Sequence, residues 1–142
     1  MVKIKFPEGG LCYDYFWSVE DNKWAMWSGK IPNYEHTDEP IFSKIFVPTI
    51  HTTRLRYLLD MHLKRKKPIL FVGGAGTGKT QVIKDYLSST KTDQVAYKTI
   101  NFSSFTDAAS LQRDIESMLD KKSGKTYGSA MNKTLIAFID DL

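Results

Sequence analysis

Pro68-Ile69-Leu70-Phe71-Val72-Gly73-Gly74-Ala75-Gly76-Thr77-Gly78-Lys79-Thr80-Gln81-Val82-Ile83 is the stretch on which the reading of this chain turns. An apolar, β-branched and aromatic run bounded by a proline and a glycine predicts a buried strand over Ile69 to Val72. Gln81 to Leu87 predicts the helix that follows. Between them, Gly73, Gly78, Lys79 and Thr80 complete the pattern glycine, four residues, Gly-Lys-Thr, in the strand–loop–helix setting of a phosphate-binding loop.

Each residue type in that loop has a physical task. Backbone N–H groups curl around a phosphate only if side chains do not obstruct them, so Gly73, Gly74, Gly76 and Gly78 permit a tight, partly left-handed path. A helix starting near Lys79 directs its unsatisfied N–H groups and positive dipole end at the same anion. Lys79 adds a point charge for the β- and γ-phosphates, and the Thr80 hydroxyl is a Mg²⁺ ligand. Gly73, Gly74, Ala75, Gly76, Thr77, Gly78, Lys79, Thr80 and Gln81 are therefore the expected binders of a nucleoside triphosphate, with ATP or ADP and Mg²⁺ as cofactors. A mere flexible turn needs one glycine and leaves the adjacent Lys and Thr unexplained.

Such a loop is completed by an acid at the end of a neighbouring hydrophobic strand. Thr134-Leu135-Ile136-Ala137-Phe138-Ile139 followed by Asp140-Asp141 fits. Asp140 is expected at the metal, and Asp141 where a carboxylate orients an attacking water, which makes it the candidate catalytic residue.

Working outward, Leu55, Leu58, Leu59 and Leu63 recur at helical spacing after a cap expected at Thr52 or Thr53. A second strand is expected at Tyr97 to Phe102 and a second helix at roughly Asp107 to Asp120. Lys121 to Lys133, polar and carrying Gly124 and Gly128, is expected to be a loop. Alternating helix and strand signals from Ile41 onward indicate an α/β layer fold on parallel strands. The first forty residues differ, being rich in aromatics and turn formers. Leu11 to Trp17 and Lys23 to Trp27 predict a hairpin across Glu20-Asp21-Asn22, with Tyr13, Tyr15 and Trp17 on one face. So short a hairpin is marginal alone, so its aromatics are expected to bury it against a neighbour. Ile31-Pro32-Asn33 and Glu35 to Pro40 read as a connector. Two regions result, a lead-in over 1–40 and a P-loop core over 41–142.

At 142 residues the chain is long enough for one core. The 20 Lys and Arg against 16 Asp and Glu give +4, but the densest basic run, Lys64-Arg65-Lys66-Lys67, falls where cations complement the end of a helix. With only four arginines, a nucleic-acid partner is not expected. No apolar run is long enough to cross a membrane, no secretory signal is read at the start, and a membrane partner is not expected either. Cys12, the single cysteine, is expected to be a plain buried small residue.

The chain resembles the dynein heavy chains, and within them the third AAA+ module of the motor ring. The resemblance lies in Phe6-Pro7-Glu8-Gly9-Gly10 with Tyr13-Asp14-Tyr15, Trp24 and Trp27; in Phe46-Val47-Pro48-Thr49 with Arg54 and Tyr57-Leu58-Leu59; in the glycine loop; and in Asn101-Phe102-Ser103 and Phe138-Ile139-Asp140-Asp141-Leu142. The Asp-Asp ending is similar to the axonemal type. The resemblance implies an AAA+ core truncated after the acidic strand and an ATP-binding module that regulates a microtubule motor in the axoneme of cilia or flagella. It also implies that Val47 and Pro48 contact the adenine end. The partners it implies are the rest of the heavy chain, neighbouring AAA+ modules, dynein intermediate and light chains, and the microtubule indirectly. The usual catalytic glutamate is matched by Asp141, one methylene shorter, so hydrolysis is expected to be slow or absent. In the family's sheet order a further strand lies between those at Ile69 and Leu135, which implies a piece of a larger polypeptide that is not stable alone.

Two other readings stay open. One is a self-contained small P-loop kinase or GTPase, although Asn132-Lys133-Thr134-Leu135 lacks the aspartate of a guanine-recognition motif and only Arg113 follows the loop to build a lid. The other is a non-catalytic scaffold that holds its nucleotide permanently.

Overall fold

A computed structural model describes residues 5–34, 41, 45–90 and 94–141. The connector expected over Glu35 to Pro40, and Leu142, lie outside them. The chain forms two compact units, Met1–Ile83 and Lys84–Leu142.

In the first unit, strands β1 (Tyr15–Ser18) and β2 (Lys23–Met26) pair antiparallel, with Trp17 opposite Trp24. The turn between them is held by Ser18 and Asp21, whose side chains bond at 3.1 Å. β1 starts later than the expected Leu11, because Cys12–Asp14 forms a 3-10 turn in which the Asp14 carboxylate accepts the Leu11 N–H. Tyr13 therefore leaves the expected strand face and is 71% exposed. Cys12 is exposed in the same turn, contrary to the buried position expected of it. The hairpin has two aromatic faces. On one, Phe6 meets Tyr15 and Trp24, and Trp24 meets Trp17, all edge-on at 5.1 to 5.3 Å. On the other, Phe16 and the buried Trp27 pack against Tyr57, with the Lys30 ammonium over the Phe16 and Tyr57 rings.

Tyr57 belongs to α1 (Ile50–Lys64). Its cap is Thr49, three residues before Thr52, because these two threonines satisfy each other: the Thr49 hydroxyl accepts the Thr52 N–H at 3.2 Å, and the Thr52 hydroxyl accepts the Thr49 N–H at 2.8 Å. Leu59 is buried, whereas Leu58, on the expected apolar face, is exposed. The basic run sits at the C-terminal end, where Lys64 pairs with Asp60 one turn back.

Ile69 to Val72 is not a strand. The segment takes no ladder partner among the described residues, and Leu70 and Val72 are 73% and 85% exposed. Strand propensity cannot make a strand without a neighbour to accept its N–H groups. Helix α2 (Lys79–Ser89) begins where expected, directly after the glycines.

The second unit is built on β3 (Val95–Asn101) and β6 (Thr134–Asp140), paired in parallel from Val95 opposite Thr134 to Asn101 opposite Asp140. Ile100 and Phe138 are buried. Parallel neighbours need a crossover, and α3 (Ala108–Glu116) supplies it. The Lys98 ammonium ties β3 to that helix, donating to the Asp114 carboxylate and the Ser117 hydroxyl at 2.8 Å each. Asp107 caps α3, accepting the Ser110 N–H at 2.7 Å. That bond and the Ser110 hydroxyl hold the Asp107 carboxyl below its ordinary pKa.

α3 ends at Glu116 and not near Asp120, since the expected loop contains two more strands, β4 (Leu119–Ser123) and β5 (Thr126–Ser129). They form a hairpin around Gly124, which is left-handed at φ 54°. Lys-Lys-Ser and Thr-Tyr-Gly-Ser carry too little apolar alternation to announce a strand pair. The described residues are thus α/β with a small parallel sheet, and no helix among them is long and apolar enough to cross a membrane.

Candidate functional site: a glycine loop at a helix N-terminus

The loop from Gly73 to Gly78 runs straight into α2, whose first backbone bond back to it joins the Val82 N–H to the Gly78 carbonyl at 3.0 Å. A helix supplies no acceptor of its own for the N–H groups of its first turn, so this end is electropositive. Gly76 and Gly78 have φ of 74° and 81°, where a side chain would be strained. Gly74 is different. Its φ is not left-handed, and a Cβ added to it would meet nothing within 4 Å. Glycine at position 74 therefore leaves its backbone open to close approach.

Lys79 folds back over the loop. Its ammonium donates to the carbonyls of Gly73 at 2.9 Å and Gly74 at 2.7 Å, and to the Thr77 hydroxyl at 3.3 Å. The Thr77 hydroxyl in turn donates to the Gly74 carbonyl at 2.9 Å. Gly73, Gly74, Thr77 and Lys79 thus form one hydrogen-bonded cup with a positive charge at its rim. The hydroxyl of Thr77 is the part that the pattern alone does not assign, because the motif leaves that position open. Its cue is a side-chain acceptor two residues before the lysine.

This donor set fits a nucleotide's phosphates: a fixed ammonium, a helix N-terminus, and, among the described residues, open space where a Cβ on Gly74, Gly76 or Gly78 would stand. Thr80 and Gln81 occupy the first turn of α2, and Ala75 is exposed in the loop. Val47 and Pro48 lie in the stretch without regular structure before Thr49 caps α1, Val47 about half exposed.

The two aspartates belong to the second unit. Asp140 is the last residue of β6, opposite Asn101, and its carbonyl accepts the Phe102 N–H at 2.9 Å. Asp141 follows with φ 59° and is exposed.

Residues 34–142 match the family described as the P-loop containing dynein motor region. Across 140 residues the chain is 41% identical to the dynein alpha chain of the flagellar outer arm of Chlamydomonas reinhardtii, covering 98% of this chain and 3% of that one. It is 37% identical to dynein axonemal heavy chain 11 of Sus scrofa over its full length, again 3% of the relative. Human dynein axonemal heavy chain 17 is 37% identical over 139 residues, 98% of this chain and 3% of its own length. The chain therefore spans about 3% of the length of the curated relatives it matches.

Proposed function

The chain belongs to the family of P-loop containing dynein motor regions, and from that premise we propose that it is the ATP-binding regulatory module, third in the AAA+ ring, of an axonemal dynein heavy chain. The observation that carries the binding role is the cup itself: Lys79 held over Gly73 and Gly74 at the start of α2, with unfilled space beside Gly74. Bound ATP supplies a phosphoanhydride whose charge the site must hold. The loop amides from Gly73 to Gly78 and the first turn of α2 bind that charge, and Lys79 exchanges carbonyl acceptors for phosphate oxygens, which accept more strongly. Thr80 and Asp140 would each serve as a Mg²⁺ ligand, Val47 and Pro48 would meet the adenine end, and Gln81 continues the first turn. On this reading 1–40 is a lead-in and 41–142 the first part of an AAA+ core. Its partners are the remainder of the heavy chain, neighbouring modules, intermediate and light chains, and, indirectly, the microtubule of a cilium or flagellum.

Asp141 favours a second reading, in which the module retains nucleotide and does not turn it over. The residue carries a shorter carboxylate than the glutamate usual at that position. Single-turnover hydrolysis at this site in the complete heavy chain separates the two: a scaffold keeps its nucleotide unexchanged. For binding itself, Lys79→Ala in the complete polypeptide is expected to weaken occupancy of this loop by about ten- to a hundredfold, the order for removing a charged hydrogen-bond donor. Unaltered occupancy refutes the proposal.

A further inference from the structure

The Lys79 ammonium has three protons to donate, and three oxygens of the loop take them: Gly73 O, Gly74 O and Thr77 Oγ1. Two of these acceptors are backbone and come with any sequence that adopts this path. The third is a side chain, set by the identity of residue 77. The Thr77 hydroxyl has one proton of its own, and it goes to Gly74 O at 2.9 Å, leaving its lone pairs facing the lysine. Thr77 Oγ1, Gly74 O and Lys79 Nζ therefore close a small ring of hydrogen bonds. The ring is fitted closely to the loop: a Cβ on Gly73 would stand 3.6 Å from Thr77 Oγ1 and 3.8 Å from Lys79 Cδ, in ordinary contact with both side chains.

The three bonds are unequal. Those to the carbonyls measure 2.9 and 2.7 Å, and the one to Thr77 measures 3.3 Å, so the third proton is the least tightly held. The hydroxyl helps to keep a long, rotamer-rich side chain in one arrangement.

We propose that Thr77 is a positioning residue for Lys79, holding the ammonium over the loop where it meets the terminal phosphate of an incoming nucleotide. The proposal rests on the phosphate-binding reading above. Because Thr77 acts through Lys79, which serves the terminal phosphate, its loss falls more heavily on the triphosphate than on the diphosphate. Valine at position 77 keeps the β-branched shape and offers no acceptor; serine keeps the acceptor.

The test is hydrogen exchange in the complete polypeptide, following the peptide across residues 71–87 while MgATP or MgADP is titrated to millimolar concentration, which gives an affinity for this loop alone. Thr77→Val is expected to weaken MgATP about tenfold, the order for one charge-assisted hydrogen bond, and MgADP by less. Thr77→Ser is expected to stay within about twofold of wild type. In a Lys79→Ala background, Thr77→Val is expected to add no further loss, since the two residues form one unit. Wild-type affinity in Thr77→Val overturns the inference. So does an undiminished tenfold loss in the Lys79→Ala background, which makes Thr77 a shaper of the loop and not a partner of the lysine. A wild-type loop that MgATP does not protect overturns the phosphate-binding reading as well, and is distinguishable because no variant is needed to see it.

Discussion

Two apolar runs of similar composition each lead into candidate site residues, and they fare differently. Leu135 to Ile139 lies inside β6, in register with β3 along seven residues, and delivers Asp140 at the end of a ladder. Ile69 to Val72 has no ladder among the described residues and is largely exposed, yet it leads into a well-formed loop. The contrast separates two ways of holding a functional residue. Asp140 is held from outside, by a partner distant in sequence. The glycine loop is held from within, by the start of α2 and by the Lys79 and Thr77 bonds across six residues.

The sharpest way to break this comparison is to empty the paired side. Phe138→Ala removes a buried ring from β6 and is expected to lower the opening free energy of the β3–β6 ladder by about 3–5 kcal/mol, seen as faster amide exchange across residues 95–101 and 134–140. The loop's own exchange should change far less. A smaller effect is expected from the other side with Gly78→Ala, where φ is 81°: about 1–2 kcal/mol of strain at the start of α2, read from exchange in residues 79–89. Gly74→Ala sharpens the point, because it should leave that exchange unchanged while weakening MgATP binding. If both glycines behave alike, the distinction between a conformational and a ligand-facing glycine fails.

Val72→Ala is expected to stay within about 0.5 kcal/mol in the 142-residue chain, as exposed sites do. A cost comparable to a buried valine, measured in the complete heavy chain, would show that a further strand covers this run there. The smallest effect is one of pH. The bonds from Ser110 depress the Asp107 carboxyl in the folded state, so their contribution to α3 is present above the ordinary carboxylate range and is lost as pH falls through the depressed value. Acid titration followed by far-UV circular dichroism should show α3 loosening there, and Asp107→Asn should remove that dependence.

The glycine loop and the onset of α2 were readable from the residues because their causes are local: positive φ, missing side chains and a helix that must begin somewhere after Gly78. The β6 strand was readable because a buried parallel strand is a continuous apolar run, and most of β3 because β-branched and aromatic residues are frequent there. The thresholds of α1 and α3 were less legible. At α1 two threonines three residues apart outbid the later candidates. At α3 the helix stops before Met118 and Leu119, whose spacing suited a helix but which lead into a hairpin. That hairpin, β4–β5, had no apolar alternation to reveal it, and the exposed Cys12 followed from a 3-10 turn that no periodicity encodes.

By itself, then, the order of residues determined what can be settled within a few bonds of chain: the left-handed Gly76 and Gly78, the lysine within reach of the Gly73 and Gly74 carbonyls, and the threonine beside it. Only tertiary structure decided which apolar runs became strands, because a β-strand is completed by hydrogen bonds to a neighbour that its own residues do not contain. Ile69 to Val72 and Leu135 to Ile139 are alike in composition, and the difference between them is that one is laddered to Val95–Asn101 and the other has no ladder among the described residues.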